Sequence, residues 1–142
     1  MPAAERTITI RRPAAEVFAF VADGTTAPRW RSGVLDVALV SGSGIGATYS
    51  QGVKGPAGRR IAADYEITAF GPDRRIAFRA IAGPVRPTGA FDVEAIGDAT
   101  ALTFSLEAEL SGWKRLLMGG QVQATMDAEM RALDRLQEIL EG

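Results

Sequence analysis

Two tyrosines, a glutamine and an arginine are the residues of this chain best suited to act on a small molecule. By strand alternation, Tyr49, Gln51 and Tyr65 fall on the same face as Phe78, Phe91 and Phe104. Buried hydroxyls and amides need partners, and a few polar groups in an apolar cleft are what orient a ligand. For any one of these residues, simple membership of the core is the competing account. Tyr65 or Tyr49 can act as an acid towards a carbonyl only where a nearby cation lowers its pKa from about 10. Arg86, near a turn and beside Pro87 and Thr88, is the candidate cation, able to bind an enolate or carboxylate if a bulge turns it inward.

The remaining chemistry is narrowed by what is missing. The sequence has neither cysteine nor histidine, which removes disulfides, thiolate nucleophiles, Ser-His-Asp arrangements and nearly every zinc or non-haem iron site. Paired carboxylates are the natural general acid and base. Glu107 and Glu109 alternate onto the outer, wet face, the wrong side for a cavity reaction. The expectation is a site that uses no metal and no organic cofactor.

At 142 residues and 46% hydrophobic content, the chain suits one domain spanning 1–142, long enough to bury a core. Its 16 basic and 17 acidic side chains nearly cancel, so the field that would attract nucleic acid or an anionic membrane is absent. Met1 to Arg6 lacks an apolar run behind a basic start, and no 18-residue apolar stretch occurs; neither an export signal nor a membrane span is expected, and a cytoplasmic location is the default. Lysine occurs only at Lys54 and Lys114, which with the abundant Ala and Gly points to a GC-rich bacterial genome.

The elements that must position these residues are mostly strands. Thr7 to Ile10 alternates as a short half-buried strand. Pro13 suits the first turn of a helix that buries Val17, Phe18, Phe20 and Val21 and runs through Ala22, before Asp23-Gly24 ends it. Pro28-Arg29-Trp30 restarts the chain as a short second helix. Further strands are expected over residues 34–40, 47–53, 59–69, 74–81, 87–95 and 101–110, separated by turn-rich Lys54 to Ala57, Phe70 to Asp73, Gly83 to Arg86 and Gly97-Asp98.

Pairing Ala69 with Arg74 sets Tyr65 opposite Phe78, Ile67 opposite Ile76, and Asp64 opposite Arg79 on the outer face. Asp92 and Glu94 then lie near Arg75 and Arg79, while Phe91 and Val93 face Leu102 and Phe104. Arg59, Arg60, Arg74, Arg75 and Arg79 alternate with acidic residues, which reads as a solvated face laced with ion pairs.

A terminal apolar stripe, Leu116, Leu117, Val122, Met126, Met130, Leu133, Leu136 and Leu140, has helical spacing. Gly119-Gly120 interrupts it, and since an interior glycine costs about 1 kcal/mol relative to alanine, the helix is expected to begin near Gln121. A flexible gate is the alternative. Trp113 either caps the far end of a cavity or staples the helix start. A long helix laid across a curved sheet encloses a cavity suited to an apolar molecule.

The order of strand, two short helices, six strands and long helix resembles the helix-grip fold of the START and birch-pollen-allergen superfamily, often called SRPBCC, and within it the bacterial polyketide cyclase/dehydrase branch. The resemblance is carried by Arg12 to Phe18, Ala27-Pro28-Arg29-Trp30, Gly58-Arg59-Arg60, Gly71 to Arg79, and Gly97 to Thr100. It covers essentially the whole chain. It implies an α+β architecture, with a curved antiparallel sheet of about seven strands around the C-terminal helix and two short helices after strand 1. It also implies that Trp30 lines the cavity mouth, flanked by Arg29 and Arg31; a packed indole closing the small helices onto the sheet competes. In members that cyclise polyketides, an inward arginine with a tyrosine or polar amide is implied.

The function expected is binding of a small hydrophobic or aromatic ligand by Trp30, Tyr49, Gln51, Tyr65, Phe78, Phe91, Phe104, Trp113, Met126 and Met130. Two alternatives stand beside it: a metal-free cyclase or dehydratase using Tyr and Arg, and a protein or lipid-surface interaction module exposing an apolar patch around Trp30. The sequence allows a homodimer without demanding one.

Overall fold

The computed structural model describes residues 2–142. An antiparallel sheet curls around a C-terminal helix in the helix-grip arrangement. Its strands run β1 (Ala3–Ile10), β2 (Val34–Ser41), β3 (Thr48–Lys54), β4 (Arg60–Ala62), β5 (Tyr65–Gly71), β6 (Arg75–Ala80), β7 (Thr88–Ile96) and β8 (Ala99–Glu107). They lie in the order β1-β8-β7-β6-β5-β3-β2, with the short β4 also paired to β3. β1 extends four residues ahead of the alternating segment because β8 offers a continuous partner from Glu107 to Thr100.

Helix α1 (Ala14–Ala22) starts after Pro13, whose carbonyl accepts from Glu16 and Val17, and buries Val17, Phe18 and Val21. The second short helix is a 3-10 segment, Gly24–Arg29, capped by Asp23, whose side chain accepts from the Thr25 N–H. It thus begins at the glycine expected to end the first helix, and Trp30 closes it instead of lying inside it.

The β5–β6 hairpin corrects the expected register. Gly71 pairs with Arg75, Tyr65 with Ala80 and Ile67 with Phe78, with a bulge between Ile67 and Ala69. Pro72 and Asp73 set the turn: the Arg74 N–H bonds the Gly71 carbonyl at 3.0 Å, and Asp73 takes φ 60°, a left-handed conformation Asp tolerates. The bulge lets Ile67 and Phe70, an odd number of residues apart, both turn inward. Ile67 is buried, and Phe70 meets Phe18 edge-on at 5.6 Å. Glu66, not Asp64, therefore faces and pairs with Arg79. Arg75 pairs with Asp92 at 2.7 Å, and Phe91 faces Phe104 with Val93 facing Leu102.

The expected 59–69 strand is interrupted at Ala63-Asp64, dividing β4 from β5, although both keep one register against β3. The Ala63 N–H still donates to the Gln51 carbonyl at 2.8 Å. The return bond is replaced. Gln51 N–H donates to Asp64 Oδ1 at 3.0 Å, and the Ala63 carbonyl takes the Gln51 side-chain amide at 3.1 Å. Asp64 therefore preserves the backbone accounting at the break between β4 and β5.

Helix α2 (Gly112–Arg131) runs straight through Gly119-Gly120, so it starts nine residues earlier than expected; α3 (Leu133–Glu141) continues it after Ala132. At about 100° per residue, Met118, Val122, Met126 and Glu129 share the inward side. Trp113, Leu116 and Leu117 consequently point outward, with Leu116 87% exposed, and do not extend the buried stripe. Met126, Met130, Leu133, Leu136 and Leu140 are buried. Arg6 Nη1 to the Met130 carbonyl at 3.0 Å and Arg12 Nε to the Leu140 carbonyl at 2.7 Å tie the helices back to the start of the chain.

Candidate functional site

A cavity of about 380 Å³ lies between β3, β4 and α2. Val53, Ile61, Val85, Leu106, Val122 and Met126 form its apolar wall, and Arg31, Gln51, Tyr65, Thr125 and Glu129 contribute polar groups. Ile61, Ala62 and Ala63, at and just past the end of β4, and Tyr65, at the start of β5, line it on the sheet side. Three of the residues singled out from the sequence, Gln51, Tyr65 and Met126, line it.

Others stand behind them. Tyr49 stacks on Tyr65 with centroids 5.0 Å apart. Phe78, Phe91 and Trp30 surround a separate void of about 30 Å³ that Tyr65 also borders. Trp30 is buried, meeting Phe91 and Phe104 edge-on at 6.1 and 5.8 Å; it is a packed indole rather than a cavity mouth, and it offers no exposed face on which an apolar surface patch could be centred. Phe104, wholly buried, stacks on Phe91 at 4.4 Å, and Met130 is buried in the same core.

Two expected residues lie elsewhere. Trp113 is 63% exposed, with the Lys114 ammonium 5.8 Å from its ring, because the helix begins at Gly112 and its first turn faces solvent. Arg86 does not bend inward. It is exposed, its Nε donates to the Gly83 carbonyl at 3.3 Å, and it borders an open groove with Glu109, Lys114 and Arg115.

The inward cation is instead Arg31, whose Nε donates to Glu129 Oε2. Their side chains are only 14% and 12% exposed. The Arg31 guanidinium also lies 5.9 Å from the Trp30 ring and 5.8 Å from the Phe104 ring, within cation–π range. A signal for Glu129 was present: Val122, Met126, Glu129, Leu133, Leu136 and Leu140 keep four-three spacing, so a carboxylate occupies a buried-stripe position.

Burial, then the neighbouring Tyr49, pushes the Tyr65 phenol well above its ordinary range, with Arg31 acting in the opposite sense. Burial, then Asp23, raises Tyr49. Both phenols are thus neutral hydrogen-bonding groups near pH 7. The Gln51 Oε1 atom is buried and has no partner. Among the described residues, no cluster of three or more acidic side chains is arranged to hold a metal ion, and no helix is long and apolar enough to cross a membrane.

The sequence matches, over residues 1–141, a family described as polyketide cyclase / dehydrase and lipid transport. No curated protein gives a match. Among solved structures, the TTHA0849 protein of Thermus thermophilus is 18% identical, with 96% of this chain and 95% of that chain covered and a TM-score of 0.79. A START superfamily protein from Mycobacterium smegmatis is 15% identical, covering 98% and 97%, with a TM-score of 0.77. The Zhui aromatase/cyclase from Streptomyces sp. R1128 is 18% identical, covering 99% and 91%, with a TM-score of 0.73. At these identities the likeness is one of fold.

Proposed function

We propose, from the premise that the chain belongs to the polyketide cyclase/dehydrase and lipid transport family, that it binds a small hydrophobic or aromatic molecule between the sheet and α2. The observation that carries this reading is the 380 Å³ cavity with an apolar wall and convergent polar groups, within the size range of small-molecule sites. Burial of the ligand's apolar surface, at roughly 25 cal/mol per Å², provides the drive, while Gln51 and Tyr65 orient it. Native mass spectrometry of protein purified from its own host, followed by extraction, is expected to yield a retained apolar compound. Val122→Trp, which fills the cavity, should then abolish retention. Equal retention by this variant would sink the reading.

A second reading, a cyclase or dehydratase, is favoured by one observation: Arg31 and Tyr65 border the same cavity. Both are hydrogen-bond donors that can stabilise negative charge developing on an enolate oxygen. Arg31 is already engaged by Glu129, which places this reading second. Product analysis with a poly-β-ketone probe decides it: turnover lost in Arg31→Met supports it, and an unchanged probe opposes it.

A further inference from the structure

We propose that the first turns of α2 form a docking surface for an anionic lipid bilayer, with Trp113, Leu116 and Leu117 entering the bilayer interface and Lys114 and Arg115 meeting the lipid phosphates. The surface is separate from the cavity and does not depend on its being filled.

Large apolar side chains on a helix of a globular domain ordinarily face its core. These do not. From Ser111 to Leu117 every residue but Lys114 is exposed, and Leu116 and Leu117 reach 87% and 76%. At about 100° per residue, Trp113, Leu116 and Leu117 share one side of the helix, opposite the Met118 and Val122 that line the cavity. None of the three lines the cavity or the groove beside it, so they offer no pocket that would select one side chain of a protein partner. An exposed apolar cluster marks an interaction site, and tryptophan is a side chain favoured where a bilayer meets water.

Charge selects the partner. Gly112 to Met126 carries Lys114 and Arg115 and no acidic residue. Both border the groove together with Arg86, and the acidic side chain lining it is Glu109. This end of the molecule therefore has a local positive excess, although the whole chain carries a net charge of −1. Such a net charge exerts little pull at a distance, but each Lys or Arg brought within a Debye length of an anionic surface contributes individually. Apolar side chains with cations beside them are the combination that holds a helix at a lipid interface. Two copies of this chain meeting through the same face would set like charge against like.

The chain has two tryptophans, and Trp30 is buried, so a blue shift of tryptophan emission on adding vesicles reports Trp113. The wild-type protein is titrated with vesicles of phosphatidylcholine alone and of phosphatidylcholine with an equal part of phosphatidylglycerol, with co-sedimentation as the second readout. Blue shift and sedimentation are expected with the mixed vesicles and should fall as salt rises. Lys114→Gln combined with Arg115→Gln should weaken that binding about 25-fold, at roughly fivefold for each cation. Leu116→Ser combined with Leu117→Ser should weaken it at least about tenfold through the apolar area lost. No response to the mixed vesicles, or equal binding to both kinds, overturns the proposal, and this wild-type series needs no variant to fold. A blue shift that grows with protein concentration before vesicles are added assigns the face to a second copy; an equal shift with polyglutamate assigns it to an acidic protein. Either result overturns the bilayer as its partner.

Discussion

Arg31, on the turn after the first two helices, and Glu129, on α2, form an ion pair across 98 residues of sequence, largely shielded from water. The pair fastens the long helix to the turn beneath it and borders the cavity. Removing one partner leaves the other charge in a site where water reaches little of it.

Arg31→Met is accordingly expected to destabilise the protein by about 3–5 kcal/mol, while Arg31→Met combined with Glu129→Leu should recover most of that loss or all of it. Urea unfolding of the two single variants and the double variant measures the coupling. A cost under about 1 kcal/mol for Arg31→Met would mean that the pair behaves like an exposed one.

Tyr65 is held neutral by burial, its folded-state pKa lying above the ordinary value of 10.0. A raised folded-state value means that the native state keeps its proton longer than the unfolded chain. Its contribution is fully present below about pH 10 and declines as pH rises from there through the folded-state pKa. Stability measured from neutral to strongly alkaline pH should fall less steeply in Tyr65→Phe. The same variant should weaken hydroxylated ligands while leaving purely apolar ones nearly unchanged; equal binding of both classes would remove Tyr65 as an orienting group.

Gly24 sits against the tyrosine pair. A Cβ there would come 2.1 Å from the Tyr65 hydroxyl and 3.1 Å from the Tyr49 ring. Gly24→Ala should cost about 1–3 kcal/mol through overpacking. Much of the loss should disappear when Tyr65→Phe removes the obstructing oxygen, a coupling that chemical unfolding of both variants and their combination would detect. Additive losses would show that the strain lies in the 3-10 backbone.

Phe104 and Leu116 belong to the two ends of the burial scale, at 0% and 87% exposed. Phe104→Ala should cost about 3–5 kcal/mol, since it removes a ring packed on both Phe91 and Trp30. Leu116→Ser should change stability by no more than about 0.5 kcal/mol. Similar thermal shifts for the two would contradict the outward placement of the first turns of α2.

Much of the fold was legible because its signals are local. Pro13 announced a helix start, Gly71-Pro72 and Gly97-Asp98 announced turns, and alternation placed Phe91 and Phe104 together on the inner face, where they stack. The same alternation brought Gln51 and Tyr65 to the cavity side. The bulge at Thr68 left a fainter trace, the odd spacing of Ile67 and Phe70, and without it the hairpin register came out displaced. Glycine propensity misled at Gly119-Gly120, where a penalty of about 1 kcal/mol per residue is small enough for the surrounding helix to absorb.

The sequence by itself determined most of the segments that become strands and helices and most of the apolar faces, because turn preference and hydrophobic period act between residues close along the chain. Only the tertiary structure decided that Arg31 rather than Arg86 turns inward, that Glu129 meets it, and that the Gln51 amide is left with an unpaired oxygen. Those outcomes depend on where β4 gives way to β5 at Ala63-Asp64 and where α2 lies against the sheet. A charged side chain is favoured in water unless a distant partner is brought within reach, and no local pattern specifies that partner.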